Sequence, residues 1–123
     1  KLSEFINIHA GDSTIMLPRF LESLKKQVSL AFLDGAHEAS VLMSEFSSLY
    51  DHLADGALVF LDNTYPIAEP EKGEPARVNQ AIPELLERFG GQLINLRFAS
   101  WFTPGLAIWQ KSLPLRAEDW SHP

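Results

Sequence analysis

Two stretches decide the fold: Val28-Ser29-Leu30-Ala31-Phe32-Leu33-Asp34-Gly35-Ala36-His37 and Ala57-Leu58-Val59-Phe60-Leu61-Asp62-Asn63-Thr64. Each is a short apolar run that stops on an acid and a turn. Runs of this length, bounded by turn residues, read as buried strands. The second is apolar on both faces, as expected of a central parallel strand. Between them, Leu42, Phe46, Leu49 and Leu53 are spaced 4, 3 and 4 apart, which predicts an amphipathic helix from about Glu38 to Leu53, stopped by Asp55-Gly56. Strand, helix, strand is the unit of a parallel sheet with right-handed crossovers and helices on its faces.

The pattern extends both ways. Upstream, Phe5 to Ala10 reads as another strand, ending at Gly11-Asp12-Ser13. A helix from about Thr14 to Lys26 follows, with Leu17, Phe20, Leu21 and Leu24 on one face, Pro18 in its first turn, and Lys25 and Lys26 at its negative end. Downstream, Tyr65 to Pro75 carries Pro66, Pro70, Pro75, Glu69, Glu71 and Glu74 and reads as a solvated loop. A helix over about Ala76 to Phe89 contains Pro83, which predicts a kink or a split. Gln92 to Phe98 and Leu106 to Gln110, joined through Thr103-Pro104-Gly105, read as an antiparallel hairpin. Residues 1–111 form one α/β domain, and 112–123 is a polar tail holding Trp120. At 123 residues, one domain is what the length allows.

Composition excludes several classes. The formal charge is −6 with no basic cluster, a poor match for a nucleic-acid backbone. The chain has no cysteine, so disulfides, thiolate metal sites and a cysteine nucleophile are excluded together. Apolar runs fall far short of the ~20 residues a membrane span needs. There is no serine elbow, P-loop lysine motif or G-x-G-x-x-G.

Three polar turns follow three consecutive strands: Gly11-Asp12-Ser13, Asp34-Gly35-Ala36-His37 and Asp62-Asn63. Parallel strands would set all three on one sheet edge, the edge where open α/β sheets bind ligands. Asp34, Asp62 and the Asn63 amide oxygen would make an all-oxygen site suited to Mg²⁺, Ca²⁺ or Mn²⁺. His37, three residues after Asp34, is the candidate general base. The competing reading is plain: strand-end acids often only cap the next helix or turn. His9 reads as a strand residue and His52 and His122 as surface residues. Trp101, Phe102 and Trp109 read as hairpin core.

Taken in order, Gly11-Asp12-Ser13, Phe32 to His37, Asp55 to Thr64, the helix around Val78, Ala81, Ile82 and Leu85, and the closing hairpin resemble the C-terminal half of a class I S-adenosylmethionine-dependent methyltransferase. The Asp-Gly-x-His turn is similar to that of small methyltransferases acting on sugars and other small hydroxylated compounds. Asp62-Asn63-Thr64 resembles the cation-dependent catechol and caffeoyl-CoA O-methyltransferases. The resemblance implies a Rossmann-like methyltransferase fold, a mostly parallel sheet with a C-terminal antiparallel hairpin, lacking the N-terminal glycine-loop strands. It implies S-adenosylmethionine as cofactor, met by Gly11, Asp12, Ser13 and Asp34. It implies a divalent cation such as Mg²⁺ on Asp34, Asp62 and Asn63, and a small-molecule hydroxyl as acceptor. The family's base is a lysine; His37 stands at that position. The expected setting is cytoplasmic, as a homo-oligomer or completed by an N-terminal segment. The alternatives are a metal-independent enzyme in which Asp34 and His37 position the acceptor, and a non-catalytic oligomerisation module. A flavodoxin-like or receiver-type domain fits the closing hairpin less well.

Overall fold

The computed structural model describes residues 2–65, 72–96 and 105–113. After a 3-10 turn at Leu2–Phe5 the elements are α1 (Ser13–Ser23), β1 (Val28–Leu33), α2 (Ala39–Tyr50), β2 (Leu53–Asp62), α3 (Val78–Phe89), β3 (Gln92–Leu96) and β4 (Leu106–Gln110). The sheet order is β1-β2-β4-β3. β1 runs parallel to β2, while β2–β4 and β3–β4 are antiparallel. This is the mixed α/β, Rossmann-like arrangement with its closing hairpin.

Side chains alternate across the sheet. Val59 and Leu61 of β2, and Ala107 and Trp109 of β4, are buried. They meet Leu21 of α1, Leu42, Phe46 and Leu49 of α2, and Val78, Ala81 and Leu85 of α3 in one core. The Phe46 ring stands edge-on to Trp109 at 4.9 Å, the favoured geometry for an aromatic pair. The buried indole N–H donates to the Gly90 carbonyl at 2.8 Å, so this bulky residue is enclosed without an orphan donor.

All three helices pack into that single core. The opposite face of the sheet carries Leu30, Phe32 and Ile94, more than half exposed. The register continues this apolar row through Phe32, Phe60, Ile108 and Ile94, one residue per strand. The expectation of helices on both faces is therefore corrected: among the described residues, one face is covered.

The first expected strand is also absent. Residues 6–10 follow the 3-10 turn without regular structure, and Phe5, Ile6 and Ile8 are exposed. A strand exists through ladder hydrogen bonds to a neighbour, and no strand among the described residues lies alongside this segment. α1 stops at Ser23 because Leu24 turns extended at ψ 127°, so Lys25 and Lys26 lie beyond the helix. Pro18 sits inside α1, past its first turn.

α2 ends at Tyr50, and Leu53 begins β2 rather than closing the helix. Asp55-Gly56 lies inside that strand. The register jumps from Val28–Leu53 to Leu30–Leu58, and Gly56, at φ 74°, supplies the left-handed backbone of the irregularity. α3 is continuous through Pro83, so it is not split. The prolines and acids at 66–71, residues 97–104 with Trp101 and Phe102, and residues 114–123 with Trp120 and His122 lie outside the described residues. Among the described residues, no helix is long and apolar enough to cross a membrane.

Candidate active site

The site is built by strand register. Leu33 pairs with Leu61 across the parallel β1–β2 ladder, so Asp34 and Asp62, each one residue further on, leave the sheet side by side at its carboxyl edge. The turn after Asp34 returns His37, whose Nε2 stands 3.6 Å from Asp34 Oδ1. Side-chain ligand atoms of Asp34, His37 and Asp62 all lie within 4.8 Å of one another. Asp34 and His37 are more than half exposed, so their pairing contributes at most ~1 kcal/mol to the fold. The cluster is not what holds the domain together, and its groups remain open to a ligand.

Electrostatics single out Asp62. Burial pushes its carboxyl above the ordinary value, and the neighbouring Asp34 carboxylate pushes it further. The Asn63 backbone N–H and the His37 charge pull it back without cancelling the rise. A positive charge placed beside Asp62 would relieve the cost of ionising it.

Beside the cluster is a cavity of about 420 Å³, lined by His37, Asn63, Tyr65, Arg77, Val78 and Asn79. It forms because the starts of α2 and α3 are tied together. The Ala39 N–H donates to the Ala76 carbonyl at 2.7 Å, and Glu38 and Arg77 form an isolated antiparallel bridge. Arg77 also pairs with Glu74 at 3.3 Å. Asn63 has a left-handed backbone, φ 57°, the one positive φ outside glycine among the described residues. Its side-chain Nδ2 is buried without a hydrogen-bond partner. Opposite the cavity, Thr64 and Asn95 exchange hydrogen bonds at 3.0 and 3.4 Å, fixing the exit of β2 against β3.

Of the residues singled out in the sequence, Asp34, His37 and Asp62 converge, and Asn63 shares a cavity wall with His37. Asp12, expected with Gly11 and Ser13 to meet the cofactor, is not part of that acid–histidine group. Asp12 caps α1, its Oδ1 accepting from the Thr14 N–H at 2.9 Å and the Thr14 hydroxyl at 2.7 Å. Those bonds hold its carboxyl below the ordinary value. Tyr65, Arg77 and Asn79 escaped the sequence reading. Arg77 and Asn79 reach the site through the Glu38–Arg77 bridge, a contact between distant segments that carries no local sequence signal, while Tyr65 follows Asn63 by two residues.

A parallel strand pair ending in adjacent acids, next to a cavity under two helix starts, defines an α/β domain with a candidate ligand site at the carboxyl edge. The chain belongs to the methyltransferase-domain family, whose model matches residues 1–64. Three solved structures share the fold. One is CalS11, a TDP-rhamnose 3'-O-methyltransferase of calicheamicin biosynthesis: TM-score 0.55, 22% identity, 81% of this chain and 38% of that one. A protein designated a caffeoyl-CoA O-methyltransferase, from Staphylococcus aureus, has TM-score 0.63 at 19% identity over 90% of this chain and 56% of that one. MycE of the mycinamycin pathway, solved with Mg, SAH and mycinamycin VI, has TM-score 0.56 at 16% identity over 94% of this chain and 33% of that one. The chain thus spans between a third and somewhat over half the length of these structures. Comparison with curated proteins finds no match.

Proposed function

We propose that this chain carries the acceptor side of an S-adenosylmethionine-dependent O-methyltransferase acting on a hydroxyl of a small molecule with the help of a divalent cation. The observation that carries the reading is the convergence of Asp34, His37 and Asp62 within 4.8 Å beside the cavity. The donor set fits a hard cation: two carboxylates, one of which is costly to ionise without a positive partner. Asp34 and Asp62 would hold the ion, with the Asn63 amide beside them. Bound there, a cation lowers the pKa of a hydroxyl resting on it. S-adenosylmethionine, when bound, supplies a methyl group on a positively charged sulfur.

The chain's own residues do the rest. The cavity walls at Asn63, Tyr65, Arg77 and Asn79 orient the acceptor, and positioning is a large part of catalysis in a displacement of this kind. His37, exposed at the mouth, takes the hydroxyl proton on a ring nitrogen. The transfer would balance as a displacement: the acceptor oxygen would gain the methyl group as its bond to sulfur broke, and SAH would leave. The similar structures described as a TDP-rhamnose 3'-O-methyltransferase and as a methyltransferase in complex with mycinamycin VI support a small-molecule acceptor.

Titration calorimetry of the intact protein with S-adenosylmethionine, with and without Mg²⁺, tests the reading. Heat of binding is expected, and methyl transfer is expected to stop in EDTA and return with Mg²⁺. Absence of heat under both conditions ends the proposal. Activity that survives EDTA selects the metal-independent form, with Asp34 and His37 positioning the acceptor.

A second reading rests on the bare sheet face of Leu30, Phe32 and Ile94: a non-catalytic module that associates through that face. A stable oligomer with no cofactor binding in the intact protein would select it.

A further inference from the structure

Glu45 is a buried acid that the proposed chemistry does not use. It lies in the second turn of α2, 5% exposed, within the helix face that packs into the core. Carboxylates are almost never this enclosed without a structural or functional reason. Its contact is with the turn that carries the site. A Cβ placed on Gly35 would stand 2.8 Å from Glu45 Oε1 and 3.6 Å from Oε2. At that first distance one group has to move, so a side chain at 35 would displace the end of the Glu45 side chain from its place against the turn. Gly35 lies between Asp34 and His37, the two groups the turn delivers.

We propose that Glu45 is a positioning residue: its carboxylate, set against Gly35, seats the Asp34–His37 turn, so that both side chains face Asp62. The inference rests on the reading of Asp34 and Asp62 as cation holders only for its metal readout. α2 is anchored independently at its start, by the Ala39 N–H to Ala76 bond and by the Glu38–Arg77 bridge. The helix that carries Glu45 is therefore held independently of the turn, and its side chain reaches Gly35 from that support.

The test compares Glu45→Ala, Glu45→Gln and Gly35→Ala with the parent protein, each first checked for the parent circular dichroism spectrum. The imidazole C–H resonances of His37, assigned with His37→Gln, report the turn without any metal. Mn²⁺ titration followed by electron paramagnetic resonance reports the cation site. Glu45→Ala and Gly35→Ala should shift the His37 resonances and weaken Mn²⁺ by about tenfold or more, the usual cost of losing a group that orients metal ligands. Glu45→Gln keeps the shape and one acceptor oxygen and should recover most of both signals. Should folded Glu45→Ala and Gly35→Ala leave the His37 resonances where the parent has them, the positioning role is overturned. Should the parent protein itself take up no Mn²⁺, the cation reading fails on its own, and the His37 resonances still decide the role of Glu45.

Discussion

Asp34 and Asp62 stand at the ends of adjacent parallel strands, where burial, and then the charge of Asp34, raises the cost of ionising Asp62. A fold does not need that arrangement. It persists where a proton or a cation is there to relieve it.

The first consequence is a pH dependence with a definite sign. Asp62 has a raised folded-state pKa, so over the window between its unfolded and folded values the folded chain holds a proton that the unfolded chain has lost. Stability therefore falls as pH climbs through that window. With cations removed by EDTA, Asp62→Asn should melt above the parent at neutral pH. The gap should close as the pH drops below 3.8, the ordinary carboxyl value. Melting temperatures across a pH series check this.

Asp12 has the opposite sign. Its folded-state pKa is lowered by the Thr14 bonds, so its contribution is present above the ordinary value and fades as pH falls through the folded one. Asp12→Ala should lower the melting temperature at neutral pH and cease to do so in acid. If its role is confined to the cap, affinity for Mn²⁺ should stay at the parent level.

The two faces of the sheet should respond differently to substitution. Leu61 is fully enclosed, and Leu61→Ala should cost about 2–5 kcal/mol in a denaturant titration. Phe32, on the adjacent strand but the open face, is 55% exposed. Phe32→Ser should cost far less than Leu61→Ala. It should also reduce any self-association seen by analytical ultracentrifugation, since it breaks a contiguous apolar patch.

Which parts of this were legible in the sequence follows from how local their causes are. The β1 limits Val28–Leu33 and the inward stripe of Leu42, Phe46 and Leu49 needed only periodicity. The adjacency of Asp34 and Asp62 needed one further step, that two strands joined by a helix run parallel. The misplaced helix end at Leu53 shows the limit of periodicity. Leu53 is apolar and correctly spaced for α2, yet it is buried as the first residue of β2, where Val28 pairs with it. The lost strand at residues 5–10 has the right residue types but no neighbour, and pairing is not a property of one segment. Arg77, Asn79 and Glu45 were invisible for a related reason. Each reaches the site across a tertiary contact, and Glu45 sits in the sequence as one more acid on a helix.

The most direct test of the account is Mn²⁺ binding by the intact protein, followed by electron paramagnetic resonance, with Asp34→Asn, Asp62→Asn and the double variant alongside. One site per chain is expected. Each single variant should lose at least about tenfold in affinity, since losing a ligand should cost no less than losing an outer-shell partner, and the double variant should show no saturable binding. Mn²⁺ bound equally well by the double variant, or not bound by the parent at all, would contradict a shared cation site at the ends of β1 and β2.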